Sequence, residues 1–153
     1  MAGGSLAWVC IFLGLLAACS PPQSEGRLRL LDGESVDLRR ESRLVYLNYW
    51  AAWCRPCLHE MPELAEFQRR YPAAVALYAV HYDLPEPAVL ARQVAQMDVR
   101  IAVLLDDPDV VLGYARPQVL PTTLVVRRGR VLERLHGPQT LASLEANLRK
   151  WRP

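Results

Sequence analysis

Cys54 and Cys57 have two residues between them and sit where one kind of hydrophobic pattern gives way to another. Leu44 to Trp50 is apolar, aromatic and β-branched, the composition of a buried strand. Pro56 to Tyr71 carries Met61, Leu64 and Phe67 at helical spacing with charges between them, and Pro62 reads as an interruption that kinks this helix. A strand therefore ends, and a helix begins, at the two sulfurs. That position matters chemically. A helix N-terminus offers unpaired N–H groups and the positive end of the macrodipole, and both favour a thiolate over a thiol. Arg55 adds a positive charge of the same sign of effect. Pro56 fits the first turn, where its missing N–H is not needed. Cys54, at the exposed lip, reads as the nucleophile and Cys57, one turn further in, as the resolving thiol. The chemistry is thiolate attack on a disulfide, a mixed disulfide, and release by the second thiol.

Other uses of the pair have specific requirements. Zinc sites commonly need a second such pair, and His59, His81 and His136 are scattered. Covalent haem attachment needs His directly after the second Cys, where Leu58 stands. No Thr sits three residues before either Cys, as a peroxidatic site would ask. A purely structural disulfide stays open, although a loop this small stabilises a chain little. Neither a metal nor a cofactor is expected.

The pattern elsewhere is that of one α/β domain. Asp32-Gly33 within Arg27 to Leu38 signals a hairpin. Strands are expected at Val75–Tyr82, Ile101–Leu105, Thr122–Val126 and Val131–Leu135, the last two joined around Arg128-Gly129-Arg130. Helices are expected at Pro87–Met97, briefly within Asp106–Gly113, and at the end through Leu141, Leu144, Leu148 and Trp151. The order β-β-β-α-β-α-β-α-β-β-α implies a mixed central sheet with helices on both faces. Tyr46, Tyr49 and Trp50 read as strand packing. The three histidines read as surface or edge residues, with His59 alone close enough to modulate Cys57.

The first twenty residues contain no charged side chain, and Leu6 to Leu16 is an apolar run closed by Leu16-Ala17-Ala18-Cys19. That is a secretory pattern, too short for a membrane-spanning helix. Small residues before a Cys resemble the lipobox of bacterial lipoproteins, which implies a signal peptide over 1–18, a lipidated Cys19 and a flexible tether over 19–26 ahead of a domain at 27–153. The run is preceded by no Lys or Arg. An uncleaved anchor is the alternative, and both versions put the domain outside the cytoplasm on a membrane. Cys10 lies inside the apolar run and reads as a small hydrophobe.

Trp53-Cys54-Arg55-Pro56-Cys57 resembles the active site of the thioredoxin superfamily. The longer stretch from Asn48-Tyr49-Trp50 through Glu60-Met61-Pro62-Glu63-Leu64 is similar to its membrane-tethered TlpA/ResA-type branch, with support from Asp32-Gly33, Leu120-Pro121-Thr122-Thr123 and His136-Gly137-Pro138. The resemblance implies a thioredoxin fold with an added N-terminal β-hairpin and a central helix–strand insertion. It implies a cis peptide before Pro121, with Leu120 and Pro121 offering backbone to the substrate beside Trp53, Arg55 and Pro56. Trp53 would shield the disulfide and meet partners; a half-buried aromatic is the plainer reading. Glu60, three residues after Cys57 on the same helix face, would tune the proton exchange of that thiol; the plainer reading is a solvated helix charge. Asn48 occupies a position where cytoplasmic thioredoxins carry a buried Asp, and an amide cannot exchange a proton.

Together these readings imply a monomeric, lipid-anchored, periplasmic thiol–disulfide reductase. Its partners would be protein disulfides, among them apocytochrome c or mis-oxidised proteins, and a membrane thiol–disulfide electron donor. A disulfide oxidase or isomerase, or a client-binding lipoprotein without catalysis, are the competing functions. A net charge of +2 argues against nucleic acid as a partner and gives no support for a polybasic membrane patch.

Overall fold

The strand that leads to the cysteines is buried along its whole length, and the sheet is assembled around it. The computed structural model describes Met1 and residues 26–152. The expected signal segment and nearly all of the tether, with Cys10 and Cys19, lie outside the described residues. In chain order the elements are β1 (Arg27–Arg29), β2 (Ser35–Asp37), β3 (Leu44–Trp50), α1 (Arg55–Arg70), β4 (Val75–His81), α2 (Pro87–Gln96), β5 (Ala102–Leu104), α3 (Asp109–Leu112), β6 (Thr122–Arg127), β7 (Arg130–His136) and α4 (Leu141–Trp151). This is the order expected from the sequence, with boundaries shifted by a residue or so.

Five strands form one mixed sheet in the order β5-β4-β3-β6-β7. β3 and β4 run parallel, as do β4 and β5, while β6 is antiparallel to β3 and β7 to β6. A two-residue turn at Arg128-Gly129, both with positive φ, joins β6 to β7, the geometry that matches strand twist in a tight hairpin. β1 and β2 form the N-terminal hairpin. It lies against β5 through the Leu31 N–H to the Val103 carbonyl and the Leu105 N–H to the Arg29 carbonyl. The edge of the sheet is thereby covered rather than left as an open template. α2 and β5 form the central insertion.

Alternation along the central strands makes two cores. Tyr46 and Trp50 of β3, with Leu77 and Ala79 of β4, face Met61, Leu64 and Phe67 of α1, Leu90 of α2 and Leu144 and Leu148 of α4. Val45, Leu47 and Tyr49 face the hairpin residues Leu28, Leu30 and Leu38 and the short α3. Tyr46, Tyr49 and Trp50 are fully buried, as packing residues should be.

Two local expectations are corrected. α1 runs unbroken through Pro62. Proline removes one helical donor, but the buried Met61, Leu64 and Phe67 hold both sides of the helix to the sheet, and packing of this kind outweighs local propensity. His81 is not a surface residue: it is 1 % exposed. The β4 alternation that buries Leu77 and Ala79 turns His81 to the same face, edge-on to Trp50 with ring centroids 4.8 Å apart. Its Nδ1 accepts the Asp83 N–H, and burial lowers its pKa, favouring the neutral ring. His59 and His136 are not buried, in line with the surface reading.

The cores differ sharply from the surface in what a truncation removes. Phe67→Ala empties a fully buried site between Tyr46 and Tyr71 and is expected to lower unfolding free energy by about 3–5 kcal/mol in urea titrations. Val110→Ala, at an exposed α3 position, is expected to change it by no more than about 0.5 kcal/mol.

Candidate active site

Cys54 and Cys57 are joined by a disulfide at the N-terminus of α1. Cys54 is the N-cap: its backbone is extended, and its Sγ accepts the Cys57 N–H at 3.3 Å. A sulfur thus stands where a Ser, Thr or Asp oxygen usually caps a helix. Cys54 keeps 5 % exposure and Cys57 none. The order of access matches the expected roles, but the lip is narrower than the sequence suggests. Arg55 and Pro56 are exposed, and Pro56 lies in the first turn. The sheet directs this arrangement. β3 delivers the chain to Ala51, whose carbonyl accepts the Cys54 N–H at 3.0 Å.

Trp53 is 65 % exposed, so the half-buried reading is overturned. Its indole Nε1 donates to Asp83 Oδ2 at 2.8 Å. Asp83 follows the C-terminal end of β4, the strand beside β3, so the contact pins an exposed aromatic ring next to the disulfide.

The Leu120–Pro121 peptide is cis. Thr122 pairs with Tyr49 at the far end of β3, which puts the Leu120-Pro121 loop at the same end of the sheet as the cysteines. Pro121 is buried, and its carbonyl accepts the Gly137 N–H at 2.9 Å. Leu120 is half-buried, and no hydrogen bond among the described residues uses its peptide groups. Of the two residues expected to offer backbone to a substrate, Leu120 is the one with groups to spare. The segment leading into this loop is anchored by Arg116, which pairs with buried Asp107 at 2.6 Å and donates to the Tyr82 carbonyl. Asp107 also accepts the Tyr49 hydroxyl, which in turn meets the Tyr114 hydroxyl at 2.7 Å.

Glu60 is 2 % exposed, which excludes a solvated helix charge. Oε1 accepts Asn48 Nδ2 at 2.7 Å, and Oε2 accepts the Gln139 N–H at 2.6 Å. Asn48 also donates to Thr123 Oγ1. The carboxyl is therefore fixed by β3, by β6 through Asn48, and by the loop before α4. Burial pushes its pKa up to about 7, although both hydrogen bonds favour the anion and pull the other way. A carboxyl poised near neutrality, one turn after Cys57, can take or return a proton at physiological pH. Asn48 does not exchange protons; it orients the Glu60 carboxyl.

Several of these residues were not singled out from sequence as site residues. Asn48, Thr123 and Gln139 meet around Glu60 only through long-range packing. Asp83 carried a usable signal, since the ends of parallel strands collect functional groups. Among the described residues, no three His, Cys, Asp or Glu side chains are grouped to hold a metal.

The AhpC/TSA family model matches residues 25–134. A thiol-disulfide oxidoreductase ResA of Bacillus cereus is 33% identical over 126 residues, spanning 80% of this chain and 72% of the relative. The thioredoxin-like protein YneN of Bacillus subtilis (strain 168) is 30% identical over 127 residues, spanning 79% and 73% respectively. The crystal structure of StoA from Bacillus subtilis superposes with a TM-score of 0.66 at 20% identity, covering 78% of this chain and 92% of that one, a likeness of fold.

Glu60 gives the site a signature in stability. Its carboxyl titrates near the usual 4.5 when unfolded and at about 7 when folded. Between those values the folded state holds more protons, so Glu60 makes stability fall as pH rises, with the loss complete above the folded pKa. His81 acts oppositely: its folded pKa is depressed, so its contribution is lost as pH falls. Glu60→Gln removes only the first effect. Relative to wild type, the oxidised variant is expected to gain about 1–3 kcal/mol between about pH 5 and pH 8 in urea titrations. A difference that stays constant across that range contradicts the assigned shift.

Proposed function

The chain belongs to the AhpC/TSA family and is a thiol–disulfide oxidoreductase of the thioredoxin-like type, and from that premise we propose that it reduces protein disulfides outside the cytoplasm from a lipid anchor at Cys19. The observation that carries the chemistry is the Cys54–Cys57 disulfide at the start of α1, with Cys54 Sγ accepting the Cys57 N–H. In the reduced protein that N–H and the helix dipole favour a Cys54 thiolate. The thiolate attacks one sulfur of a client disulfide. A mixed disulfide forms, and the first client sulfur leaves as a thiolate. Glu60, as its carboxylate, takes the Cys57 proton. The Cys57 thiolate attacks Cys54 Sγ and releases the second client sulfur. Two electrons pass to the client, and the enzyme is left with the Cys54–Cys57 disulfide.

Trp53, next to Cys54 in the chain, and the Leu120 peptide groups, at the same end of the sheet, suit an extended client strand. Arg55 and Pro56 form the exposed rim next to the sulfurs. Regeneration needs a dithiol donor, and for an extracytoplasmic domain that donor is membrane-borne. Reduction, rather than oxidation, is favoured by Glu60. A carboxylate near the pair disfavours thiolate in the reduced form, and a strongly stabilised thiolate in the reduced form is what makes a strong oxidant. Apocytochrome c and mis-oxidised surface proteins are clients of the appropriate chemistry. The anchor rests on the Leu16-Ala17-Ala18-Cys19 sequence. Among the described residues, no helix is long and apolar enough to cross a membrane.

The direct test is trapping. Cys57→Ser is expected to accumulate client proteins bound through Cys54, released by dithiothreitol and identified by mass spectrometry. Cys54→Ser is expected to trap none and to reduce insulin no faster than the uncatalysed reaction. Full insulin reductase activity in Cys54→Ser contradicts the proposed mechanism.

A further inference from the structure

The small net charge of the chain hides an asymmetry that only the fold exposes. β3 ends beside the cysteines, and antiparallel β6 pairs Thr122 with Tyr49 and Val126 with Val45. The β6–β7 turn therefore lies at the pole opposite the disulfide. α1 begins at the cysteines and ends, with Arg69 and Arg70 in its last turn, toward the same far pole. The C-terminus of α4 is drawn there as well, since Arg127 Nη2 donates to the Trp151 carbonyl. Between these ends is an open cavity of about 570 Å³ lined by Arg43, Arg127, Arg128 and Arg152 around Trp151 and Leu148.

Among the described residues, no carboxylate lines this cavity. Arg43 is paired with Glu41, whereas Arg127, Arg128 and Arg152 make no ion pair among the described residues. Glu133 of β7 is held by Lys150 and the Trp151 indole. Guanidinium groups hold phosphate oxygens in a bidentate fork, and an indole with one polar edge suits a boundary between water and hydrocarbon.

A second, independent observation gives the pole an orientation. Gly26 and the turn residue Gly129 touch opposite ends of one side chain, Arg39. A β-carbon at Gly26 would lie 3.7 Å from its Nη1, and one at Gly129 2.7 Å from its Cγ. Gly26, which opens the described part of the domain, thus lies within one arginine's length of the basic turn. We propose that this pole is a docking surface for an anionic bilayer, and that its pocket takes the phosphate of an acidic phospholipid headgroup. The inference rests on the membrane-tethered reading and deepens it. A tether raises the effective concentration of the pocket at the membrane, so modest affinity is enough. Docking there turns Cys54 and Trp53 away from the lipid, toward clients in the aqueous space.

The test uses the full-length chain in neutral maltoside micelles, titrated with short-chain phosphatidylglycerol, short-chain phosphatidylcholine and inorganic phosphate. Binding is read by calorimetry and by acylation of Lys150, the sole lysine of the sequence. Phosphatidylglycerol is expected to bind at least about tenfold more tightly than phosphatidylcholine and to protect Lys150. The double variant Arg128→Asn, Arg152→Glu is expected to lose that preference and still reduce insulin at the wild-type rate. Asn is chosen because Arg128 has φ +48, a conformation that Asn tolerates. An unchanged preference in the variant, or inorganic phosphate binding as tightly as the lipid, overturns the proposal. Fatty-acid labelling of Cys19 in cells separates the two ideas. Lipid preference without labelling removes the tether and supports the pocket; labelling without lipid preference removes the pocket and leaves the tether.

Discussion

One short contact, the Cys57 N–H donated to Cys54 Sγ, joins the fold to the chemistry. A helix start needs acceptors for its free N–H groups. Here the acceptor is the Cys54 sulfur, the one proposed as the nucleophile. The arrangement exists because β3 is buried on both faces and runs into Ala51, so the chain can only emerge at the rim of the sheet and turn into α1. The same constraint explains the difference between the two cysteines. Cys54 lies at the cap and keeps a sliver of exposure, whereas Cys57 faces the core formed by α1 and the sheet.

Buried polarity behind that contact gathers around two carboxyl groups with distinct tasks. On the α1 face, Asn48 and the Gln139 N–H hold Glu60, and its raised pKa reflects burial outweighing two good hydrogen bonds. On the opposite face, Asp107 gathers Tyr49, Tyr114 and Arg116 and fixes the segment leading to Leu120-Pro121. A buried carboxyl with a paired cation stabilises only when its geometry is complete. Asp107 has the cation, Arg116 Nε at 2.6 Å from its Oδ2, while neither of these two buried atoms makes a hydrogen bond of good geometry among the described residues. Glu60 has hydrogen bonds and, among the described residues, no paired cation, so burial prevails and raises its pKa to about 7.

Much of this was legible in the residues. Seven mostly apolar or aromatic positions in a row marked β3, helical spacing marked α1 and α4, and Arg128-Gly129 marked the last hairpin, because these are local signals. The Trp53–Cys57 stretch marked the chemistry for the same reason. What escaped depended on contacts between distant segments. His81 has the composition of a surface residue and is buried only because β4 is central and alternation turns it toward Trp50. Pro62 has the local signature of a break, and packing on both sides overrides it. Asn48 is an inert amide until Glu60, twelve residues on, is folded against it. The arginines at the far pole are spread from Arg43 to Arg152 and nearly cancelled in the sum of charges, so no window of sequence shows them as one surface.

The central claim is that the helix cap divides the two sulfurs into one activated thiolate and one buried thiol. Ultraviolet thiolate absorbance of the reduced protein across pH, with alkylation mapped to each cysteine by mass spectrometry, measures that division. A first thiolate is expected on Cys54, below the ordinary thiol value of about 8.5, with Cys57 titrating later and resisting alkylation. Two cysteines that titrate together near the ordinary value, or a Cys57 that is alkylated first, would contradict it.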